Sequence, residues 1–307
     1  MEVFRKQKKL MGNQFEICII ADSQESADEP IQIAIMEIQR IEKLLTTFSE
    51  SSQTNQINQN AGIKPVQVDQ ELIDLIKRAN RISEITQGAF DLSYGSIDKS
   101  LWNFDVSMTS LPSAETARKS VRLINYKNIL LDEKNSTVFL KEKGMRIGFG
   151  GIGKGYAAEM AKKKLLELGI KNGIVNAAGD LCTWGRQIDG SEWTVGIADP
   201  NQKLRSIAQM NISERAIATS GNYEKFINID GKKYSHTINP KTGLPITGIS
   251  SVTIISSHAE IADAMATPVM VMGINAGLYM INQIKDIACM IIDDYGKIYF
   301  SNNIKIK

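Results

Sequence analysis

The sequence lacks a strong charge of either sign. Its 36 basic residues against 34 acidic ones leave a formal net charge of +2 over 307 residues, and like charges never run to five in a row. A nucleic-acid backbone or an anionic bilayer calls for a concentrated basic surface, so no nucleic-acid partner is expected. Long apolar runs are missing too. The uncharged stretch Thr242 to Ala259 is broken by Gly, Pro, Ser and Thr, and the longer one, Ala264 to Ile284, by Thr, Pro, Gly and Asn, whereas a membrane span needs about 20 mostly apolar residues; direct membrane insertion is not expected. Met1 to Gln14 carries Arg5, Lys6, Lys8 and Lys9 but leads into Gly12 and Asn13 without an apolar core or cleavage site. No secretory signal is read there, and the expected compartment is the cytoplasm. Only three cysteines occur, Cys18, Cys182 and Cys289, far apart and outside any CxxC. They read as reduced packing residues, with no disulfide framework and no cysteine zinc site. No repeat of about 20 to 50 residues recurs, which sets aside solenoids and propellers.

What is present is ordinary globular material, with 43% hydrophobic and 23% charged residues. A chain of this size buries roughly 75% of its unfolded surface, and length alone suggests about two domains. Phe15 to Ala21 (FEICIIA) reads as a buried strand after a tight MGN turn. After Pro30, apolar residues at Ala34, Ile38, Ile41, Leu45 and Phe48 keep helical spacing, so the stripe is expected to deliver Phe48 to the helix end. Ser49 to Asn60 is polar and turn-prone and reads as a loop. Asp69 stands as an N-cap before a second helix with Leu72, Leu75, Ile76, Ala79 and Ile82, ending before Gly88. Trp102 to Ala114 reads as loop, Ala114 to Ile124 as helix and Thr137 to Leu140 as strand. A glycine cluster at 148 to 155 opens a helix with a core face of Ala157, Ala161, Leu165 and Leu168, closed by Gly169. Strands follow at GIVNA, WTVGIA, SIAQMNI, RAIAT and SSVTIIS, then a helix over Ala259 to Met272, then ACMIID and KIYF. Helices and strands mix without strict alternation, which predicts an α+β, mixed-sheet architecture over a doubly wound one.

Three constellations carry candidate chemistry. GFGGIGKG holds five glycines in eight residues, and Gly148, Gly150 and Gly153 satisfy G-x-G-x-x-G. The dinucleotide fingerprint fails, because Gly173 stands where an acidic residue belongs, and the P-loop fails, because Gly155 follows Lys154. Glycines still let backbone approach an anion, a helix N-terminus offers N–H groups, and Lys154 adds a point charge. The two readings are a phosphate or diphosphate cradle and a tight packing turn. Asp263 and Thr267 lie four apart on the expected helix, so both oxygens face one way. A carboxylate with a hydroxyl suits a hard cation such as Mg²⁺; the competing reading is a solvated Asp263 with Thr267 bonded back to a helix carbonyl. His236 stands in YSHTINPKTGLP, a run of turn formers, and an imidazole is suited to general-base work near neutral pH. Its plainer reading is a histidine satisfied within a hairpin. His258, just before the helix, is assigned no chemistry.

Eight segments in one order resemble the ApbE family of flavin transferases from Met11 to about Gly273. They are LMGNQFEI, LLTTFSE with its NQIN tail, TQGAFD, GGIGKGYAAE, NAAGDL, ATSGNYEKF, YSHTINPKTGLP and ADAMATPVMVMG. The resemblance implies a mixed α/β fold of tunnelling-fold type that takes FAD as substrate with Mg²⁺ as cofactor. It implies cleavage of the FAD diphosphate, release of AMP and attachment of FMN by a phosphoester to a threonine of an acceptor flavoprotein.

On this resemblance His236 activates the acceptor threonine. Asp263, Thr267 and the carbonyl of Gly151 are metal ligands. Lys154, Ala89, Phe90, Asp91 and Thr237 line the FAD site, with Gly148 beside it, and Met11 and Phe48 contact the flavin. The chain departs from the family pattern in having Gly148 where an acidic residue is common and Phe48 where Tyr is usual. Asn13, Asn239 and the NAAGD segment are milder departures. Two alternatives use the same residues: an FAD pyrophosphatase giving FMN and AMP, and a non-catalytic FAD-binding protein. Because the motifs converge on one site, residues 1–307 are expected to act as a single unit in spite of the length.

Overall fold

The computed structural model describes residues 1–102, 110–199, 202–222, 226–229 and 231–304. Eight strands make one sheet, in spatial order Glu2–Leu10, Asn13–Ala21, Gly173–Ala177, Asp180–Trp184, Ala216–Gly221, Ile249–Ser256, Ala288–Asp293 and Ile298–Phe300. Every neighbouring pair is antiparallel, and the two ends of the chain supply the two edges. The helices in chain order are α1 (Gln24–Leu45), α2 (Gln53–Gln59), α3 (Gln70–Ile85), α4 (Ala114–Ser120), α5 (Gly153–Glu167), α6 (Ala259–Met272) and α7 (Ile274–Asn282). This is the expected α+β class.

Both faces of the sheet are covered, which explains its apolar strands. Ile17 and Ile19 pack into the core shared with α1, α5 and α6, while Cys18 and Ile20 meet Trp193 on the other side. Val252 and Ile254 face the helices, and Ile255 joins Leu181, Val195 and Ile217 on the far face. The antiparallel pair Trp193–Asp199 and Gln202–Ile212 supplies that far layer through Val195, Ile197 and Ile212. With both faces buried, the alternation of a half-exposed strand disappears and FEICIIA reads as one apolar run. The three cysteines are buried and free, and burial pushes the Cys182 and Cys289 thiols up to about 12.

The N-terminal strand Glu2–Leu10 is not foreseen by the sequence pattern. It pairs along its whole length with Asn13–Ala21 through a two-residue turn in which Met11 and Gly12 have φ of 51° and 74°. Such a turn matches the twist of a hairpin, and an edge strand rich in lysine resists pairing with other chains. Helix α1 starts at Gln24 rather than after Pro30, because Ser23 and Ser26 form a capping box, which supplies partners for the first amides. Its stripe ends at Leu45; Thr46 is extended, so Phe48 leaves the helix and is 97% exposed.

The expected loop at 49–60 contains α2. Ser52 caps it by accepting the Asn55 amide, Ile57 is buried, and Asn58 clasps the backbone of Ile147 from both sides, at 2.7 and 3.0 Å. A single apolar residue gives no period to read, so polar contacts build this helix. Asp69 occupies the N-cap of α3, but its carboxylate accepts from the Gln53 amide and no amide of its own helix. Helix α4 stops at Ser120, short of Ile124. In α5, Ala157, Ala161 and Leu165 are buried as expected, but Leu168 is the C-cap and is 46% exposed. Most of the expected loop 102–114 lies outside the described residues. No helix among the described residues is long and apolar enough to cross a membrane.

Candidate active site

The glycine segment enters α5 against α6, and the two helices cap each other. The N-cap position of α5, Ile152, has no side-chain oxygen to offer its first amides. Asp263 of α6 supplies it: its Oδ2 accepts the Gly155 amide at 2.9 Å. In return Glu159 of α5 accepts the Ala259 amide at the start of α6, at 2.7 Å. The Gly155 amide is therefore already engaged, where the sequence suggested a free donor. Gly155 has its own reason. A Cβ there would lie 2.2 Å from the Ala259 carbonyl oxygen and 2.7 Å from the Asp263 Cβ, so Ser or Thr, the P-loop residues, do not fit.

Asp263 is buried, which sets aside the solvated-face reading. Burial raises its carboxyl above the usual range, while Lys154 and the Gly155 amide act in the opposite sense. The Lys154 ammonium lies 3.9 Å from Asp263 Oδ1 and forms an ion pair with Asp180 Oδ2. Asp180 is buried at the first position of its strand, just after the Ala178–Gly179 turn, and its Oδ1 accepts the Thr219 amide at 3.1 Å. On the neighbouring strand, Ala216–Gly221, Ser220 shares a hydrogen bond with Thr267 at 3.0 Å, one turn along α6 from Asp263. Sequence reading missed Asp180 and Ser220, although an acid behind a tight turn in NAAGD was a usable signal.

Other expected residues gather around the same turn. A Cβ at Gly151 would meet the Phe90 ring at 3.6 Å, and one at Gly153 would meet the Met11 methyl at 3.6 Å. Gly148 donates its amide to Leu92, and a Cβ there would meet nothing within 4 Å. Ala89 and Phe90 are buried. The Asp91 carboxylate is committed to structure: it accepts from the Ser93 amide, the Ser93 hydroxyl and the Tyr126 amide, at 2.8, 2.6 and 2.8 Å. Burial raises its carboxyl and those bonds oppose the shift. A cavity of about 160 Å³ separates Asp91 and Tyr126 from Pro240 and Lys241.

His236 is exposed at the end of the Lys232–Ser235 strand. The chain around it is pinned: Ser235 and Thr237 both pair with Ile246, and the Ile238 amide donates to the Tyr94 hydroxyl at 3.0 Å. Tyr94 thus joins the histidine segment to the turn that begins at Asp91, a link the sequence did not disclose. Phe48 stands apart from these contacts, with its amide donating to Thr46 Oγ1 at 3.2 Å.

Among the described residues no group of three or more His, Cys, Asp or Glu side chains is arranged to hold a metal ion. The candidate ligands read from the sequence are the Asp263 carboxylate, the Thr267 hydroxyl and the Gly151 backbone carbonyl. All are oxygens, and a partial set fits Mg²⁺, which commonly keeps waters and phosphate oxygens as its remaining ligands.

The ApbE family model matches residues 11–291. An FAD:protein FMN transferase from Klebsiella pneumoniae is 29% identical over 300 residues, covering 97% of this chain and 92% of the relative. One from Escherichia coli K12 is 29% identical over 281 residues, covering 89% and 79%. Among solved structures, the ApbE protein of Thermotoga maritima superposes with a TM-score of 0.87 at 30% identity, covering 98% of this chain and 97% of that one. The flavin transferase ApbE of Vibrio cholerae gives 0.85 at 26% identity, covering 98% and 97%. With its model spanning nearly all of the sequence and its fold shared end to end, the chain belongs to the ApbE family.

Proposed function

We propose that the protein is an Mg²⁺-dependent FAD:protein FMN transferase that works as one unit over residues 1–307. The observation that carries this reading is the meeting of Lys154, Asp180 and Asp263 where the glycine turn enters α5. It joins a cation suited to a diphosphate with a buried carboxylate suited to a metal. The names of the relatives supply the reaction class. The single unit is supported by a sheet whose edges come from the two chain ends.

In the proposed reaction the threonine oxygen of the acceptor forms a bond to the flavin-side phosphorus of FAD. The bond from that phosphorus to the bridging oxygen breaks, and AMP leaves with the bridging electrons. His236 accepts the threonine proton, a task suited to an exposed imidazole on a segment pinned through Ser235, Thr237 and Ile238. Lys154 reaches the diphosphate from the first turn of α5; Met11 and Phe90 lie beside the glycine turn, and with Ala89, Thr237 and Gly148 they are assigned to the FAD site. Phe48 offers an exposed ring to the flavin. Asp91 shapes this wall through the turn it caps. Asp263, Thr267 and the Gly151 carbonyl would hold Mg²⁺, which when bound neutralises diphosphate charge. Incubation with FAD, Mg²⁺ and an acceptor tests the proposal: FMN on an acceptor threonine with one AMP released supports it, and acceptor-independent AMP release assigns hydrolysis instead.

A further inference from the structure

Lys154 is the movable member of a cluster whose other members are fixed. Asp180 is held by the Thr219 amide and Asp263 by the Gly155 amide, at 3.1 and 2.9 Å. Both carboxylates are buried, at 3% and 6% exposure, while the Lys154 side chain is 27% exposed. Two buried carboxylates without a cation are costly, and a lysine ammonium is a compact charge on a flexible stem that can change partners. Lys154 pairs directly with Asp180 and stands 3.9 Å from Asp263.

We infer that Asp180 is a positioning residue that acts through Lys154: it draws the ammonium off Asp263, leaving that carboxylate able to take a divalent cation, while Lys154 remains the site's resident counter-ion. The inference rests on the proposed reading of Asp263 as a cation ligand. Two charges of one sign then share the site, the ammonium and the incoming cation. An anionic diphosphate gives Lys154 a third partner, so nucleotide and cation strengthen each other's binding, reciprocally. Removing Lys154 relieves the repulsion and tightens cation binding in the absence of nucleotide. Removing the Asp180 charge leaves Asp263 as the ammonium's remaining carboxylate and weakens cation binding. A merely structural role for the two residues does not move affinity in opposite directions.

The test is Mn²⁺ binding to the full chain without nucleotide, followed by the electron-paramagnetic signal of free Mn²⁺, with circular dichroism to check that each variant is folded. Lys154→Met is expected to tighten binding by about five- to tenfold, and Asp180→Asn to weaken it by a similar factor, within the usual range of site coupling. Lys154→Arg keeps the wild-type value, and Asp180→Asn in the Lys154→Met background changes binding by less than about twofold. Equal weakening by Asp180→Asn in both backgrounds overturns the inference, as does weaker binding by folded Lys154→Met. The latter variant decides the matter alone if Asp180→Asn does not fold. If Asp263→Ala leaves Mn²⁺ binding at the wild-type level, the cation reading fails and the inference with it; if Asp263→Ala abolishes binding while Lys154→Met does not tighten it, only the inference fails.

Discussion

The Gly155 amide donates to the Asp263 carboxylate at 2.9 Å, so a candidate cation ligand on α6 is also the N-terminal cap of α5. The contact requires the two helices to touch, and Gly155 permits it, with Ala259 backbone 2.2 Å from where a Cβ would stand. Gly155→Ala is expected to destabilise the fold by about 2–3 kcal/mol through overpacking against backbone. Urea unfolding followed by circular dichroism measures it; a change under about 0.5 kcal/mol, the ordinary effect of a surface substitution, contradicts the close packing.

His236→Ala is expected to lower FMN transfer by about 10²- to 10⁴-fold, the usual worth of a general base, while FAD binding, read by flavin fluorescence, stays near wild type. Asp263→Asn is expected to lose transfer as well and to lose its response to added Mg²⁺. Loss of FAD binding by His236→Ala would assign the histidine to the binding site rather than to proton transfer.

Phe48 is 97% exposed, so Phe48→Ala is expected to leave the thermal midpoint unchanged and to weaken FAD binding by about two- to tenfold, the worth of one aromatic contact. Phe48→Tyr retains the ring and keeps wild-type binding. Calorimetry with FAD separates the two; unchanged affinity in Phe48→Ala removes the residue from the site.

Away from the site, Arg40 bonds to Glu71 at 2.6 and 2.8 Å and holds its carboxyl below the usual value of 4.5, with burial opposing and the Tyr156 hydroxyl adding to the effect. A lowered carboxyl stabilises the fold above that value, and the contribution is lost as pH falls through the lowered one. The thermal midpoint of Glu71→Gln is therefore expected to lie below wild type near neutral pH, with the gap closing in acid. Both partners are partly exposed, so added salt shrinks the gap. A gap independent of pH contradicts the ion pair as its source.

Much of this arrangement was legible in the sequence, for identifiable reasons. The strand at Phe15 and the helix at Ala259 are long, apolar and bounded by turn residues, and both stand where the pattern puts them. Helix α2 was not legible, because Ser52, Thr54 and Asn58 build it with hydrogen bonds to distant backbone and Ile57 alone gives no period. The Glu2–Leu10 strand was hidden by the charges that suit it to an edge. At the site, the glycine cluster suggested anion binding, yet Gly155 is explained by Ala259. Asp180 and Ser220 escaped because their partners, Lys154 and Thr267, are 26 and 47 residues away in sequence.

Transfer of FMN to an acceptor threonine can be read directly from the products. The purified chain, FAD, Mg²⁺ and a candidate acceptor are incubated together, and intact-protein and peptide mass spectrometry follow the acceptor while chromatography follows AMP. The expected result is one FMN on one acceptor threonine, with matching AMP, dependent on Mg²⁺ and absent with His236→Ala. AMP and free FMN formed equally well without acceptor, or an FAD-loaded protein that forms no AMP with acceptor and Mg²⁺ present, contradicts it.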